Sequence, residues 1–351
     1  MSARQGAFGR AVFITVRPFL VIVLAIFANA PPIFAISANP NSFIESQPDG
    51  TRVTLRVRGD EHFHWLEDNR GFSVVRNADW YEYAHVNPQG KLVPSGLRVG
   101  QDNPAEHGLP PGLLPSPAQR AASSKQTSDT ADTMVAASTY PSGAVRNLVV
   151  LIQFNNHVWR DLPTPSDFDV LFNAPGGDPD LAPTGSVRDV FLQNSYGQLE
   201  LNSDITSWIT VSGDEQYYAN GVSGDSTLWE ALREALDILD ASVDFRQYDG
   251  NGDGKIDAIT FIHSGYGAEW GGTDAYGTPS SDRIWSHRWV IQNPAWTSAE
   301  GVQVSDYHIS PGLWSTRGFS IGRIGVIAHE TGHFFGLPDL YDTDGGGNGI
   351  G

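Results

Sequence analysis

His329-Glu330-Thr331-Gly332-His333, continued by Phe334-Phe335-Gly336-Leu337-Pro338-Asp339, spaces metal ligands the way a hydrolytic zinc centre needs them. On an α-helix residues four apart share a face, so His329 and His333 can offer their imidazoles to one ion, with Glu330 beside them. Gly336 can take the left-handed conformation that ends a helix and Pro338 cannot continue one, so the chain should turn back just after the second histidine. That return makes Asp339 a candidate third ligand. Three protein ligands with a fourth position left to water is the pattern of catalytic zinc, whereas structural zinc closes all four positions. Zinc lowers the pKa of such a water to roughly 7, and Glu330 is placed to take its proton as it attacks a polarised carbonyl. The expected chemistry is peptide hydrolysis. A helix whose histidines merely face a groove, with Glu330 a solvated charge, would leave the Gly-x-x-Asp continuation without a role.

A second metal candidate is the run Asp249-Gly250-Asn251-Gly252-Asp253-Gly254-Lys255-Ile256-Asp257. Asp249, Asn251, Asp253, Lys255 through its backbone carbonyl, and Asp257 put oxygen donors around a glycine-permitted loop, which suits Ca2+ in a structural role. The first nine positions follow the order of an EF-hand loop. Position 12, however, is Thr260 rather than a bidentate glutamate, and Ala258-Ile259-Thr260-Phe261-Ile262 reads as a strand leaving the loop. A full EF-hand is therefore not expected, and the competing reading is a polar turn between helix and strand. His287 within Ile284-Trp285-Ser286-His287-Arg288-Trp289 reads as a packing or hydrogen-bonding residue. Tyr307 and His308 are candidates for stabilising an oxyanion or touching substrate, although nothing in their spacing demands it. His62 and His64, two apart, lie on one strand face and either bind metal or decorate a half-exposed strand.

The elements that would position these groups follow from periodicity. Leu148-Val149-Val150-Leu151-Ile152 is a continuous apolar run that suits a strand buried on both faces. Ser186-Val187-Arg188-Asp189 is a capping box opening a helix through Asn194, with Gly197 just past its end. Leu199-Glu200-Leu201 and Trp208-Ile209-Thr210-Val211 read as a strand pair, one of them a sheet edge along which a peptide could lie. Leu228, Ala231, Leu232, Ala235, Leu236 and Leu239 make one apolar stripe on a helix over about 225–240. The helix carrying the paired histidines should start near Gly322 or Arg323, with Ile324, Ile327, Thr331 and Phe334 on its core side. Asp342 is a candidate acceptor for a ligand histidine.

Upstream, residues 1–38 read as a signal peptide: Arg4, Arg10 and Arg17, an apolar core of about ten residues from Phe19, then small residues. That core is too short to span a bilayer of ~30 Å, so cleavage and export to the extracellular space are expected, with no stable membrane insertion afterwards. Residues 39–103 alternate as short strands: Val53, Leu55 and Val57 against Arg52, Thr54 and Arg56, then Phe72-Ser73-Val74-Val75 and Trp80-Tyr81-Glu82-Tyr83. Residues 104–143 shift to Pro, Ala, Ser and Thr, the composition of a flexible linker and of an activation site, with Arg120 and Lys125 as candidate cleavage points. Residues 144–351 hold the candidate zinc site. The fold class is α+β, with a small β-rich module ahead of a larger mixed domain.

The chain has 351 residues and a formal net charge of -18, with no basic run, which argues against nucleic acid and anionic membrane as partners. Cysteine is absent. An exported protein without disulfides leaves bound metal ions as a substitute staple.

The run HETGHFFGLPDLYD resembles the active-site signature of the immune inhibitor A family of secreted bacterial metallopeptidases, a zincin group with metzincin-like features. GDEHFHWLED, GSVRDVFLQNSYGQLEL, VDFRQYDGNGDGKIDA and IWSHRW resemble the same family, so the likeness covers most of the chain after the leader. The resemblance implies zinc ligands His329, His333 and Asp339, with Glu330 as general base. It also implies a zincin-like catalytic domain, a mixed twisted sheet with backing and active-site helices, acting on protein or peptide substrates. Residues 39–103 would then belong to a pro-region, where Asp60, Glu61, Glu67, Asp68 or a histidine would block the zinc until cleavage. Two departures stand out. Metzincin-like zincins carry a methionine turn after the third ligand, yet the only methionines are Met1 and Met134, and the chain stops twelve residues beyond Asp339 in a glycine-rich run. The catalytic domain is therefore expected to be incomplete at its C-terminus. A reading from another class is a calcium-stabilised extracellular binding or adhesion module with a vestigial zinc site.

Overall fold

Val53, Leu55 and Val57 are buried while Arg52 and Thr54 face solvent, the period-2 pattern that makes this stretch a strand with one face in a core. In the computed structural model, which describes residues 37–60, 63–120, 141–221, 225–292 and 294–337, it is the second of six strands. These are β1 (Phe43–Ser46), β2 (Arg52–Gly59), β3 (His64–Asp68), β4 (Ser73–Asn77), β5 (Trp80–Val86) and β6 (Leu92–Arg98). They pair antiparallel in sequence order as a single meander over a core of Val53, Leu55, Val74, Tyr81 and Tyr83. Residues 104–120, placed in the expected linker, run back along this module. Gly112 N donates to Gly71 O at 2.8 Å, Ser116 N to Gly90 O at 2.8 Å, and the Ser73 hydroxyl to Leu113 O. Residues 121–140, with Lys125, lie outside the described residues, as do most of the expected signal peptide, Glu61 and His62.

The second sheet is mixed. Its strands are β7 (Gly143–Gln153), β8 (Leu199–Ile205), the short β9 (Ile209–Thr210), β10 (Ile259–Tyr266) and β11 (His287–Val290). The two-residue strands β12 (Trp296–Thr297) and β13 (Gln303–Val304) form a separate hairpin before β14 (Asp306–Leu313). The order is β11-β14-β10-β7-β8, parallel except for β11, which runs antiparallel to β14 at one edge. Among the described residues five helices complete it: α1 (Pro165–Asn173), α2 (Val187–Asn194), α3 (Glu215–Ala219), α4 (Asp225–Asp240) and α5 (Ile324–Phe334). The protein is thus α+β, an antiparallel N-terminal sheet followed by a mixed sheet with helices.

Strict alternation along β7 sends Leu148, Val150 and Ile152 into one core and Val149 and Leu151 into another. The first core takes the stripe Leu228, Ala231, Leu232, Ala235 and Leu236 of α4, all fully buried. The second takes Phe168 and Leu171 of α1, Phe191 of α2 and Ile324 and Ile327 of α5. Helix α2 opens with both halves of its capping box: Ser186 Oγ accepts from Asp189 N at 3.2 Å, and the Asp189 carboxylate accepts from Ser186 N at 3.0 Å.

One expectation about the sheet is corrected. Residues 199–201 and 208–211 do not pair with each other, because β8 and β9 each pair parallel with β7, at opposite ends of its length. Helices α1 and α2 lie between β7 and β8 in sequence, and a crossover of that length returns the chain parallel rather than as a hairpin. β8 forms one edge of the sheet, as expected for one of the two stretches, while α5 packs at the opposite side, against β14 and the edge strand β11.

The connection from β10 to β11 carries the contacts with the N-terminal sheet. Asn39 N donates to Glu269 O at 2.9 Å, and the Glu45 carboxylate accepts from Thr273 N at 2.6 Å and from its hydroxyl at 3.2 Å. Phe43 lies on Gly271 (φ +65°) and Gly272 (φ +61°), where a Cβ on Gly271 would come within 2.4 Å of the phenyl ring. His64 stacks on Trp285, centroids 4.9 Å apart. Among the described residues no helix is long and apolar enough to cross a membrane.

Candidate active site

Helix α5 begins after Arg323 at its N-cap, close to the expected start, and buries Ile324, Ile327 and Thr331. Its end is a Schellman motif: Leu337 N donates to Gly332 O and Gly336 N to His333 O, both at 2.9 Å, with Gly336 at φ +84°. Glycine is required there because a side chain at that φ is strained. The motif presents the carbonyl of Leu337 to the ring of His333, whose Nδ1 lies 2.7 Å from that oxygen. A carbonyl only accepts, so Nδ1 carries the proton and Nε2 keeps its lone pair.

The Nε2 atoms of His329 and His333 lie 2.9 Å apart, their rings nearly perpendicular at 87°. Two imidazoles four residues apart therefore turn toward one point, with one tautomer already fixed by a backbone carbonyl, as metal-ligating histidines are usually held. The donor set fits zinc. Glu330, between them in sequence, is fully buried. Asp339, Pro338 and Asp342 lie outside the described residues. Among the described residues no three His, Asp, Glu or Cys side chains gather around a single point.

Tyr307 and His308 meet different neighbours. They are adjacent on β14, so they point to opposite faces of the sheet, and both are buried. Tyr307 meets His287 Nε2 at 3.0 Å, while the His287 Nδ1 donates to Trp285 O at 2.8 Å, which satisfies the packing role expected for His287. His308 faces α5, its Nε2 2.8 Å from Thr260 Oγ1 and 3.2 Å from Thr331 Oγ1. Burial pushes its pKa down to about 3, helped by the nearby positive or protonatable groups of His333, His287 and Arg288. Thr260 in turn reaches Asn147, and Asn147 Nδ2 donates to Ser203 Oγ at 3.1 Å. Sequence reasoning missed this row. Its only signal was a single polar residue inside each apolar strand, Asn147 ahead of Leu148 and Thr260 between Ile259 and Phe261.

At 249–257 the loop closes on its own amides. Asp249 accepts from Asp253 N and Gly254 N, each at 3.0 Å, Asn251 Oδ1 from Asp253 N at 2.8 Å, and Asp257 from Gly250 N at 2.6 Å. Burial raises the Asp257 pKa, the Gly250 amide bond lowers it, and the Asp249 and Asp253 charges raise it again. A strand, β10, leaves the loop as expected. A further buried group sits where α3 meets the sheet: His157 Nε2 lies 3.3 Å from Glu215, and His263 Nδ1 accepts from Gly265 N at 3.2 Å. Burial pushes His263 well below its ordinary value, so it is neutral.

A cavity of about 560 Å³ opens between the N-terminal sheet and the β10–β11 connection, lined by His64, Trp65, Arg76 and Trp285 among others, and does not include the paired histidines.

The sequence is similar to known proteins over this same region. The family model for the immune inhibitor A peptidase M6 catalytic domain matches residues 147–351. Immune inhibitor A of Bacillus thuringiensis subsp. alesti is 35% identical over 209 residues, covering 50% of this chain and 28% of that protein. The pre-pro-metalloprotease PrtV of Vibrio cholerae serotype O1 is 32% identical over 212 residues, in strains M66-2 and ATCC 39315, covering 53% of this chain and 22% of that protein. The chain thus spans roughly a quarter of the length of the curated relatives it matches. A catalytic-domain match over more than half the chain, which includes the helix of the converging histidines, places this chain in the immune inhibitor A family of M6 peptidases.

Proposed function

We propose that the chain carries the catalytic domain of a secreted zinc metalloendopeptidase, made as a precursor, that hydrolyses peptide bonds in extracellular proteins. The observation that carries this reading is the pair of Nε2 atoms 2.9 Å apart on α5, with His333 Nδ1 committed to Leu337 O. His329, His333 and Asp339 would hold the zinc. Bound there, zinc supplies a Lewis acid that acidifies water and polarises the scissile carbonyl. Glu330 takes the proton of the attacking water and delivers it to the leaving amine, and its complete burial strengthens that interaction by excluding bulk solvent. The antiparallel edge strand β11 offers a peptide the main-chain partners of strand addition. A zincin-like arrangement, with α5 beneath β14 and β11, is the fold this chemistry uses.

Three subsidiary assignments accompany it. Residues 1–38 are a signal peptide, supported by their arginine-then-apolar pattern. The six-stranded module is a pro-region, supported by its contacts through Phe43, Glu45 and His64. Asp249, Asn251, Asp253, the Lys255 carbonyl and Asp257 form a structural calcium site, supported by the glycine-turned loop and its concentrated carboxylates.

The test uses the full-length gene product after removal of the N-terminal module. Stoichiometric zinc and casein cleavage, abolished by o-phenanthroline and by Glu330→Ala, are expected. Tight zinc binding without cleavage of casein or of a peptide library would overturn the peptidase reading in favour of a binding module.

A further inference from the structure

Five side chains from four neighbouring strands and one helix form a buried polar row across the middle of the mixed sheet. Ser203 on β8, Asn147 on β7, Thr260 on β10, His308 on β14 and Thr331 on α5 are all buried, in a layer otherwise built of Val, Leu, Ile and Phe. Register brings them into line: Asn147 is the partner of Ser203, and Thr260 the partner of His308. An apolar row would have packed this layer at no polar cost, so the hydroxyls and amide call for another explanation.

The protons can be assigned. Thr331 Oγ1 lies 2.7 Å from the carbonyl of Ile327, which can only accept, so the single hydroxyl proton of Thr331 is committed there. The 3.2 Å contact between Thr331 Oγ1 and His308 is then donated by His308 Nε2–H. Thr260 Oγ1, 2.8 Å from the same Nε2, accepts from it and passes its own proton to Asn147 Oδ1 at 3.2 Å. Asn147 Nδ2 donates onward to Ser203 Oγ and back to Thr260 Oγ1, each at 3.1 Å. One neutral tautomer of His308 satisfies every bond, and its other nitrogen, Nδ1, has no hydrogen-bond partner and stays an unprotonated acceptor.

Thr331 sits between His329 and His333. The other apolar side chains through which α5 packs are Ile324, Ile327, Ala328 and Phe334, the last also meeting the His308 ring with centroids 6.1 Å apart, and such packing resists separation but only weakly resists rotation about the helix axis. The His308–Thr331 contact is directional, and any rotation that breaks it swings both imidazoles away from their common point. We infer that His308 is a positioning residue, hung on Thr260 and Asn147, that fixes the rotation of α5 and so the convergence of His329 and His333. The inference rests on the zinc reading proposed above.

The test compares the activated full-length enzyme with His308→Leu, which fills the space without a donor, Thr260→Val, which removes the support isosterically, and His308→Gln, which restores an N–H donor. His308→Leu and Thr260→Val are expected to lower kcat by about 10- to 100-fold with KM within about threefold, and to speed zinc loss to a chelator by about tenfold. His308→Gln recovers most of both. The cobalt-substituted variants show visible bands shifted from those of the parent, a signature that a packing defect alone leaves in place. Zinc-loaded parent enzyme beside a folded His308→Leu or Thr260→Val variant with parental kcat and zinc release overturns the inference and leaves the zinc reading standing. If His308→Leu fails to fold, Thr260→Val and His308→Gln decide in the same way. A parent protein that binds no stoichiometric zinc overturns the zinc reading first, and this inference with it.

Discussion

The carbonyl oxygen of Leu337 lies 2.7 Å from Nδ1 of His333, four residues earlier, and the left-handed Gly336 between them puts it there. The helix terminator and the group that orients the His333 ring are therefore one device. Gly336→Ala strains that conformation by about 1–2 kcal/mol and moves the Leu337 carbonyl. Expected outcomes are a fall in Tm of several degrees and zinc retention about tenfold weaker in competition with a chelator. A variant with reduced Tm but unchanged zinc retention would separate the two roles and count against the coupling.

The histidine pair, its helix and the glycine that ends it were legible in the sequence because all three depend on local geometry: a four-residue spacing, an apolar stripe and a residue able to adopt positive φ. So were the α4 stripe and the Ser186–Asp189 capping box, for the same reason. Strand pairing was not. Residues 199–201 and 208–211 lie close in sequence and read as a strand pair, yet β7 takes both as parallel partners, which depends on a crossover that no local pattern encodes. Tyr307 and His308 were read together because they are adjacent. On a strand adjacency means opposite faces, and their contacts diverge accordingly.

Acid should destabilise the fold through buried neutral histidines. His263 is held well below its ordinary value and His308 at about 3, in both cases mainly by burial. A depressed folded pKa means the unfolded chain binds the extra proton first. Stability is then fully present above about 6.5 and lost as the pH falls from there toward 3, by at most about 1.4 kcal/mol per pH unit for each histidine. Tm measured from pH 7 to 5 should fall in the parent and fall less steeply in His308→Gln, whose side chain does not titrate. Parallel curves would show that His308 does not contribute.

The 249–257 loop should depend on calcium and on pH in opposite senses. With its pKa raised by burial and by Asp249 and Asp253, the Asp257 carboxyl favours its protonated form in the folded loop. Without a cation, the loop's contribution therefore weakens as the pH rises through and above the ordinary aspartate value of 3.8. A bound cation at about 100 times its Kd would add about 2.7 kcal/mol. Calcium at pH 7 should raise Tm by about 5–10 °C, an effect largely absent near pH 4 and in Asp257→Asn. An identical Tm with calcium and with a chelator at pH 7 removes the assignment.

The N-terminal sheet should stay attached after the chain is cut. Glu45 accepts two hydrogen bonds from Thr273, and Phe43 lies on a pair of glycines, the first of which leaves no room for a Cβ. Charged hydrogen bonds contribute about 1.5–3 kcal/mol, and a half-buried phenyl adds about 1–2 kcal/mol. A specific protease site inserted within residues 121–140 lets the connection be severed on demand. The two pieces should co-elute on gel filtration. In Phe43→Ala combined with Glu45→Ala, an affinity on the order of 100-fold weaker should release the N-terminal piece. Gly271→Ala should act in the same direction from the other side of the contact, because its Cβ would fall within 2.4 Å of the Phe43 ring. If the double variant still co-elutes with parental affinity, the module is held by other contacts, and the stacking of His64 on Trp285 becomes the next one to remove.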